Sequence, residues 1–199
     1  MAPPLPPMFA MICANNVNRS TEAHDHLHGA GLRVCSYGAG NMVRFPGPNP
    51  YEPRIFPFFT PYEVMYRELK SENEQLFRRN GVLAMLERDI ITKKAPQKWQ
   101  DNSMDELAKL DVVLCFEDRI FDIVMEDLQL RKPKDFRPIH VICLDIKDTP
   151  KDAKIGGSLA LDLCKLINDL PDLEDGIPQA IDTFETQKQL KLLYAPLYI

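Results

Sequence analysis

The residues of this chain best suited to chemistry form one stretch, Cys13-Ala14-Asn15-Asn16-Val17-Asn18-Arg19-Ser20, a C-x5-R-S pattern. A loop of that length between a strand and a helix can curl its backbone N–H groups around one tetrahedral anion at the positive end of the helix. Arg19 adds a planar fork that can bond two oxygens of a phosphate, and the same donors favour a thiolate over a thiol at Cys13. Asn15, Asn16 and Asn18 tolerate the left-handed backbone angles that a tight cradle needs. Ser20 can donate to the sulfur as it attacks and later as it leaves. The chemistry indicated is phosphoryl transfer to Cys13. The plain alternative is a buried cysteine beside an N-capping Asn18.

Transfer from an alcohol ester requires a proton for the departing oxygen, because an alkoxide leaves poorly. Asp145-Ile146-Lys147-Asp148 follows the apolar run His140–Leu144 and so reaches over the same end of a sheet. One aspartate would be the acid and the other would fix the loop. A bare D-x-x-D is also an ordinary acidic turn, and its place after a strand is what argues for a role.

Both loops need a scaffold. Met8–Ile12, Arg33–Tyr37, Asp111–Phe116 and Pro138–Leu144 read as strands. Helical spacing covers Ser20–Gly31, Arg119–Leu130, Ile155–Leu170 and Gln179–Leu192. Thr60 and Glu63 form a capping-box pattern that opens a helix over Pro61–Lys70. A further helix over Glu72–Glu87 is interrupted near Asn80-Gly81, and Lys93–Asn102 reads as polar and irregular. Strands alternating with helices imply an α/β three-layer sandwich around a mainly parallel sheet. Ligands of such folds lie beyond the carboxyl ends of the strands, near a topological switch, where both loops fall.

The chain of 199 residues is long enough for one domain. Its 17 prolines outnumber its 9 glycines, and they concentrate in Ala2–Pro7 and Pro46–Pro61. Residues 1–7 are expected to be a flexible lead-in, and 41–60 a stiff, aromatic excursion. The net charge of −5 argues against bulk nucleic-acid binding. Five cysteines without close pairs or zinc-type spacing read as reduced thiols in the nucleus or cytoplasm. No apolar run approaches membrane-spanning length, and the N-terminus lacks a signal-peptide pattern.

Cys13–Ser20 continuing into Thr21-Glu22-Ala23-His24 resembles the phosphatases that act on serine–proline sites in the C-terminal repeats of RNA polymerase II, alongside the mRNA 3′-end cleavage and polyadenylation machinery. The likeness continues through Ser36-Tyr37-Gly38-Ala39-Gly40, Phe45-Pro46-Gly47-Pro48, Asn80-Gly81-Val82-Leu83, Met85-Leu86, Glu117-Asp118-Arg119, His140-Val141, Asp145–Asp148 and Leu193-Tyr194-Ala195-Pro196. It implies a low-molecular-weight tyrosine-phosphatase-like fold with an inserted helical and aromatic segment over 41–100 that builds part of a peptide groove. By position it makes Cys13 the nucleophile, Arg19 the phosphate clamp, Ser20 the thiolate partner and Asp148 the acid, with Asp145 its neighbour. Ala14, Asn15, Asn16, Val17 and Asn18 become the phosphate loop, and Arg44, Phe45, Pro46, Tyr66 and Met85 the substrate groove. It further implies a cis-proline substrate, functional coupling to a prolyl isomerase, a scaffold partner from the cleavage complex and a nuclear setting, with no metal or cofactor. Phe116-Glu117-Asp118-Arg119 departs from the Cys-Glu-Glu-Arg of the family, with Cys115 one place earlier.

Other readings stay open on the residues. Tyrosine or small-molecule phosphatases of the same fold usually carry a cysteine where this chain has Asn18, and an Asp-Pro-Tyr acid loop that is absent here. An arsenate-reducing relative needs resolving cysteines. A phosphopeptide-binding module needs the clamp but not nucleophile and acid together. His24 is a packed or capping histidine rather than a base, Lys93-Lys94 a solvated surface, Trp99 a packing anchor, and Tyr51–Phe59 a lid or a crossover.

Overall fold

A computed structural model describes residues 5–133 and 136–199, so residues 1–4 of the expected lead-in lie outside the described residues. The chain runs β1 (Met8–Cys13), α1 (Arg19–Gly29), β2 (Arg33–Gly38), β3 (Val43–Phe45), β4 (Arg54–Phe56), α2 (Tyr62–Arg79) and α3 (Val82–Thr92). A 3-10 turn at Trp99–Asp101 precedes α4 (Met104–Leu107), β5 (Val112–Cys115), α5 (Asp118–Leu130), β6 (Pro138–Cys143), α6 (Pro150–Asn168), α7 (Leu173–Lys188) and β7 (Leu193–Tyr198). The sheet order is β2-β1-β5-β6-β7, parallel except for β7. The mainly parallel α/β sandwich read from the sequence is the architecture observed.

Strands covered on both faces read as continuous apolar runs rather than alternating ones. Phe9 through Ile12 are all fully buried. Phe9, Met11 and Cys13 face Ala23 and Leu27 of α1, Leu163 and Ile167 of α6 and Phe184 of α7. Ala10 and Ile12 face Trp99 and Ile120, Val124 and Leu128 of α5. Complete burial of each large apolar side chain is worth about 1.5–3 kcal/mol. A third cluster joins Val43 and Phe45 of the β3–β4 hairpin to Met65, Leu69, Phe77, Leu83 and Leu86 of α2 and α3. Val17, inside the Cys13–Ser20 loop, belongs to the same cluster. The chain turns from β2 on one side of β1 to β5 on the other, so that loop lies at the switch point of the sheet.

Several expected boundaries move. α2 continues to Arg79 across a non-helical Asn73, so the break expected near Lys70 is a kink within one helix. The interruption at Asn80-Gly81 is real: Gly81 has φ +83, and an added Cβ would lie 2.9 Å from Cγ of Pro150 at the start of α6. No capping box forms at Thr60, because the residue preceding α2 is Pro61 and no side chain caps the helix. α7 begins at Leu173 rather than near Gln179, since Asp172 caps it by accepting from the Asp175 N–H at 3.0 Å. Leu193–Tyr198, not assigned an element from sequence, is an edge strand antiparallel to β6.

Candidate active site

β1 ends at Cys13, and α1 opens at Arg19. Between them the backbone folds back on the sulfur. The Asn16 N–H donates to Cys13 Sγ at 3.2 Å, and Ser20 Oγ lies 3.0 Å from the same sulfur. The backbone N–H groups of Asn15, Val17 and Asn18 have no acceptor among the described residues. A loop with a half-satisfied sulfur and open N–H donors at a helix N-terminus is built to receive an anion.

Asn16 holds the loop together. Its φ is +55, a left-handed conformation that asparagine tolerates better than most residues, and it is fully buried. Its side-chain amide donates to Ser20 Oγ and Ser36 Oγ, both at 3.1 Å. Its Oδ1 accepts from Lys93 Nζ at 3.0 Å and from the Gln97 N–H at 3.1 Å. Its carbonyl accepts from the Tyr62 hydroxyl at 2.5 Å. Lys93 is therefore not solvated surface: its ammonium also donates to the Ser36 carbonyl at 2.9 Å, and burial lowers its pKa to about 8. His24 bonds Ser36 Oγ at 3.1 Å, and burial, then the Lys93 charge, pulls it down to about 4, which keeps it neutral. Ser36, Tyr62 and Gln97 carry no site role in the sequence reading, because they, like Lys93, meet the loop only through tertiary packing.

Two further contacts close the loop. Gly40 donates its N–H to the Ala14 carbonyl at 3.0 Å, and a Cβ there would lie 2.8 Å from that oxygen, so only glycine fits. On the other side Arg88 of α3 donates to the Val17 carbonyl and to Thr21 Oγ1, both at 2.6 Å, while it pairs with Glu22 and Asp89.

The loops after β5 and β6, at the carboxyl end of the sheet, converge on Arg19, which is 3% exposed. Its Nη1 donates to the carbonyls of Phe116 at 2.9 Å and Ile146 at 2.8 Å, and its Nη2 donates to Glu117 Oε2 at 2.7 Å. These ties fix the guanidinium plane. Its buried Nε has no hydrogen-bond acceptor, and its nearest acidic partner is Asp148 Oδ1 at 3.4 Å. Asn18 does not cap α1; its amide turns to Asp148 Oδ1 at 2.8 Å. Asp148 Oδ2 accepts no hydrogen bond among the described residues. Asp145 is exposed and makes none of these contacts. Thr149 caps α6 by accepting from Asp152 at 3.1 Å, which places Asp148 just ahead of the helix.

Of the groove residues, Arg44, Phe45, Pro46 and Met85 line one cavity together with Val17, Asn18 and Asp148. Asn15 anchors the hairpin to the loop through two bonds with the Arg44 backbone, both 3.1 Å. Tyr66 does not line this cavity; its hydroxyl donates to Glu87 Oε1 at 2.8 Å. Tyr51–Phe59 carries β4 and is mostly exposed: Phe58 alone is buried, against the Gly38 backbone, while Tyr51 is 93% exposed. Trp99 is a packing anchor, fully buried and edge-on to Tyr37. The other cysteines are free, and burial raises the thiols of Cys35, Cys115, Cys143 and Cys164.

A family model described as Ssu72-like protein matches residues 7–199. The chain belongs to the Ssu72 family. It is a phosphatase. The RNA polymerase II C-terminal domain phosphatase SSU72 of Danio rerio is 37% identical over 193 residues, covering 97% of each chain. The phosphatase of the same name from Candida glabrata is 40% identical over 199 residues, covering 96% of each. A crystal structure of Drosophila melanogaster Ssu72 with Symplekin, bound to a cis peptidomimetic phosphoserine peptide of the C-terminal domain, superposes with a TM-score of 0.92. Its sequence is 31% identical, and the match spans 98% of this chain and 100% of that one.

Proposed function

We propose that this Ssu72-family chain hydrolyses phosphoserine at serine–proline sites of the RNA polymerase II C-terminal repeats through a cysteinyl-phosphate intermediate. The observation that carries the reading is the meeting of nucleophile loop, clamp and acid at one end of the sheet: Asp148 lies 2.8 Å from Asn18 and 3.4 Å from Arg19 Nε. In the first step the Cys13 thiolate attacks phosphorus as the bond to the serine oxygen breaks. Arg19 and the open N–H groups of Asn15, Val17 and Asn18 hold the equatorial oxygens, where charge accumulates. The proton on Asp148 Oδ2 passes to the departing serine oxygen. In the second step water attacks phosphorus, gives its proton to Asp148 and releases inorganic phosphate, and Ser20 and the Asn16 N–H receive the thiolate again. Asp145, the other aspartate of the Asp145–Asp148 loop, is exposed and touches neither Cys13 nor Arg19.

The cavity lined by Phe45, Pro46 and Met85 takes the proline that follows the phosphoserine, in the cis form on the precedent of the peptidomimetic bound by the fly relative. Tyr66 supports this groove from α2. We place the single domain over 1–199, with 41–100 as the segment that adds the groove. The fly complex with Symplekin supports a scaffold partner of that kind and a nuclear setting. Because cis is the minor isomer of a free X–Pro bond, roughly 10–30% in unfolded peptides, turnover depends on isomerisation once that fraction is consumed. The test is phosphate release from a repeat peptide phosphorylated at a serine–proline site, with and without a prolyl isomerase and with the C13S protein as blank. Cys13-dependent release that quickens with the isomerase supports the reading. Cleavage of a phenyl phosphate with no release from the peptide overturns the substrate and keeps the chemistry.

A further inference from the structure

A second cavity of about 250 Å³ borders the Cys13–Ser20 loop at Ala14 and Asn15. Ile55, Ile120 and Ile123 supply the apolar part of its lining. Arg44 and Arg119 stand at its rim, and neither side chain makes a hydrogen bond or ion pair among the described residues. The carboxylate that shares this space, Glu117, is already held by Arg19 at 2.7 Å. In a chain of net charge −5, two unpartnered arginines converging beside a phosphate-receiving loop form a local positive field.

Both cavities are lined by Asn15 and Arg44, so they adjoin at the loop. We infer that this second cavity binds another phosphate group of the same substrate, on a residue amino-terminal to the phosphoserine being hydrolysed. The inference rests on the functional reading above. With that phosphoserine over Cys13 and its following proline in the Phe45, Pro46 and Met85 cavity, the preceding residues are led across Asn15 toward Arg44 and Arg119. Guanidinium groups pair with phosphate through parallel N–H donors, and neither arginine has an intramolecular partner to give up. The site therefore favours peptides phosphorylated twice.

The test compares three peptides with the same serine–proline phosphosite: singly phosphorylated, with a second phosphoserine two to four residues before it, or with one after it. Binding to C13S by fluorescence anisotropy and kcat/KM of the wild type are measured, each also in an R119E or R119Q background checked by circular dichroism. We expect the peptide with the preceding phosphate to be favoured about three- to tenfold over the singly phosphorylated one, an advantage that shrinks with salt. R119E should bring those two peptides to within about twofold of each other. Equal handling by the wild type, a preference that survives R119E, or the same preference for a phosphate on the following side each overturns the inference. Loss of Cys13-dependent turnover of all three peptides is failure of the functional reading. The cavity is then judged by C13S binding alone, and equal binding there overturns it as well.

Discussion

The ammonium of Lys93 lies 3.0 Å from Oδ1 of Asn16, the residue whose own backbone N–H points at Cys13 Sγ. A cation beyond α3 thus fixes the one loop residue held at positive φ beside the nucleophile. Lys93→Met removes this donor and the bond to the Ser36 carbonyl, although Gln97 still reaches Asn16. A small displacement of the loop is expected to lower kcat/KM by about 10- to 100-fold. Steady-state kinetics beside a thermal melt checks this, and a stable K93M protein with wild-type kinetics would show that Lys93 does not position the loop.

Tyr62 tests the same hub from the opposite side. Its hydroxyl is the donor to the buried Asn16 carbonyl, at 2.5 Å. Tyr62→Phe keeps the packed ring and orphans that carbonyl, so it should cost about 1–3 kcal/mol in denaturant unfolding, with m unchanged. No loss of stability would mean that the carbonyl finds another donor.

Asp89 is fully buried against Arg88, and burial outweighs that partner to push its carboxyl up to about 7 from 3.8. A raised folded-state pKa means that the native protein binds more protons than the unfolded chain between those values. The stabilising contribution is complete below about 3.8 and is lost as pH rises through about 7. Asp89→Asn mimics the protonated acid and has no such dependence. The Tm of D89N relative to wild type should therefore rise between pH 5 and about 8, and a falling difference would contradict the buried-acid account.

The two aspartates after β6 are expected to separate cleanly. Asp148→Asn should lower kcat on a phosphoserine peptide by about 10²–10⁴-fold and have much less effect on a nitrophenyl ester, whose leaving group needs little protonation. Asp145→Asn should stay within about twofold of wild type on both, since Asp145 contacts none of the loop. The reverse pattern would reassign the acid.

Much of this arrangement was legible in the sequence because its signals are local. Apolar runs marked the buried strands, and C-x5-R-S between a strand and a helix marked the loop. The 3.6 period found α5 and α6, though α7 starts earlier than its apolar spacing suggested because Asp172 and Asp175 carry the start signal. β7 was missed because Pro196 reads as a strand breaker, whereas on an edge strand its missing N–H is harmless. Thr60 and Glu63 matched a capping pattern, but Pro61 takes the cap position. Lys93 read as surface because nothing local distinguishes a solvated lysine from one aimed at an asparagine 77 positions earlier. Asn18 is legible as a member of the phosphate loop, but its bond to Asp148 is not, because that partner lies on a loop 130 residues away.

The central claim is that phosphorus passes through Cys13. Wild-type protein mixed with a serine–proline phosphopeptide, quenched within milliseconds and digested under conditions that preserve thiophosphate esters, can be read by mass spectrometry. The expected result is a transient phosphoryl group on the peptide that contains Cys13, absent in C13S, which also releases no phosphate. Phosphate release by wild type with no phosphorylated Cys13 peptide, together with turnover by C13S, would contradict the account.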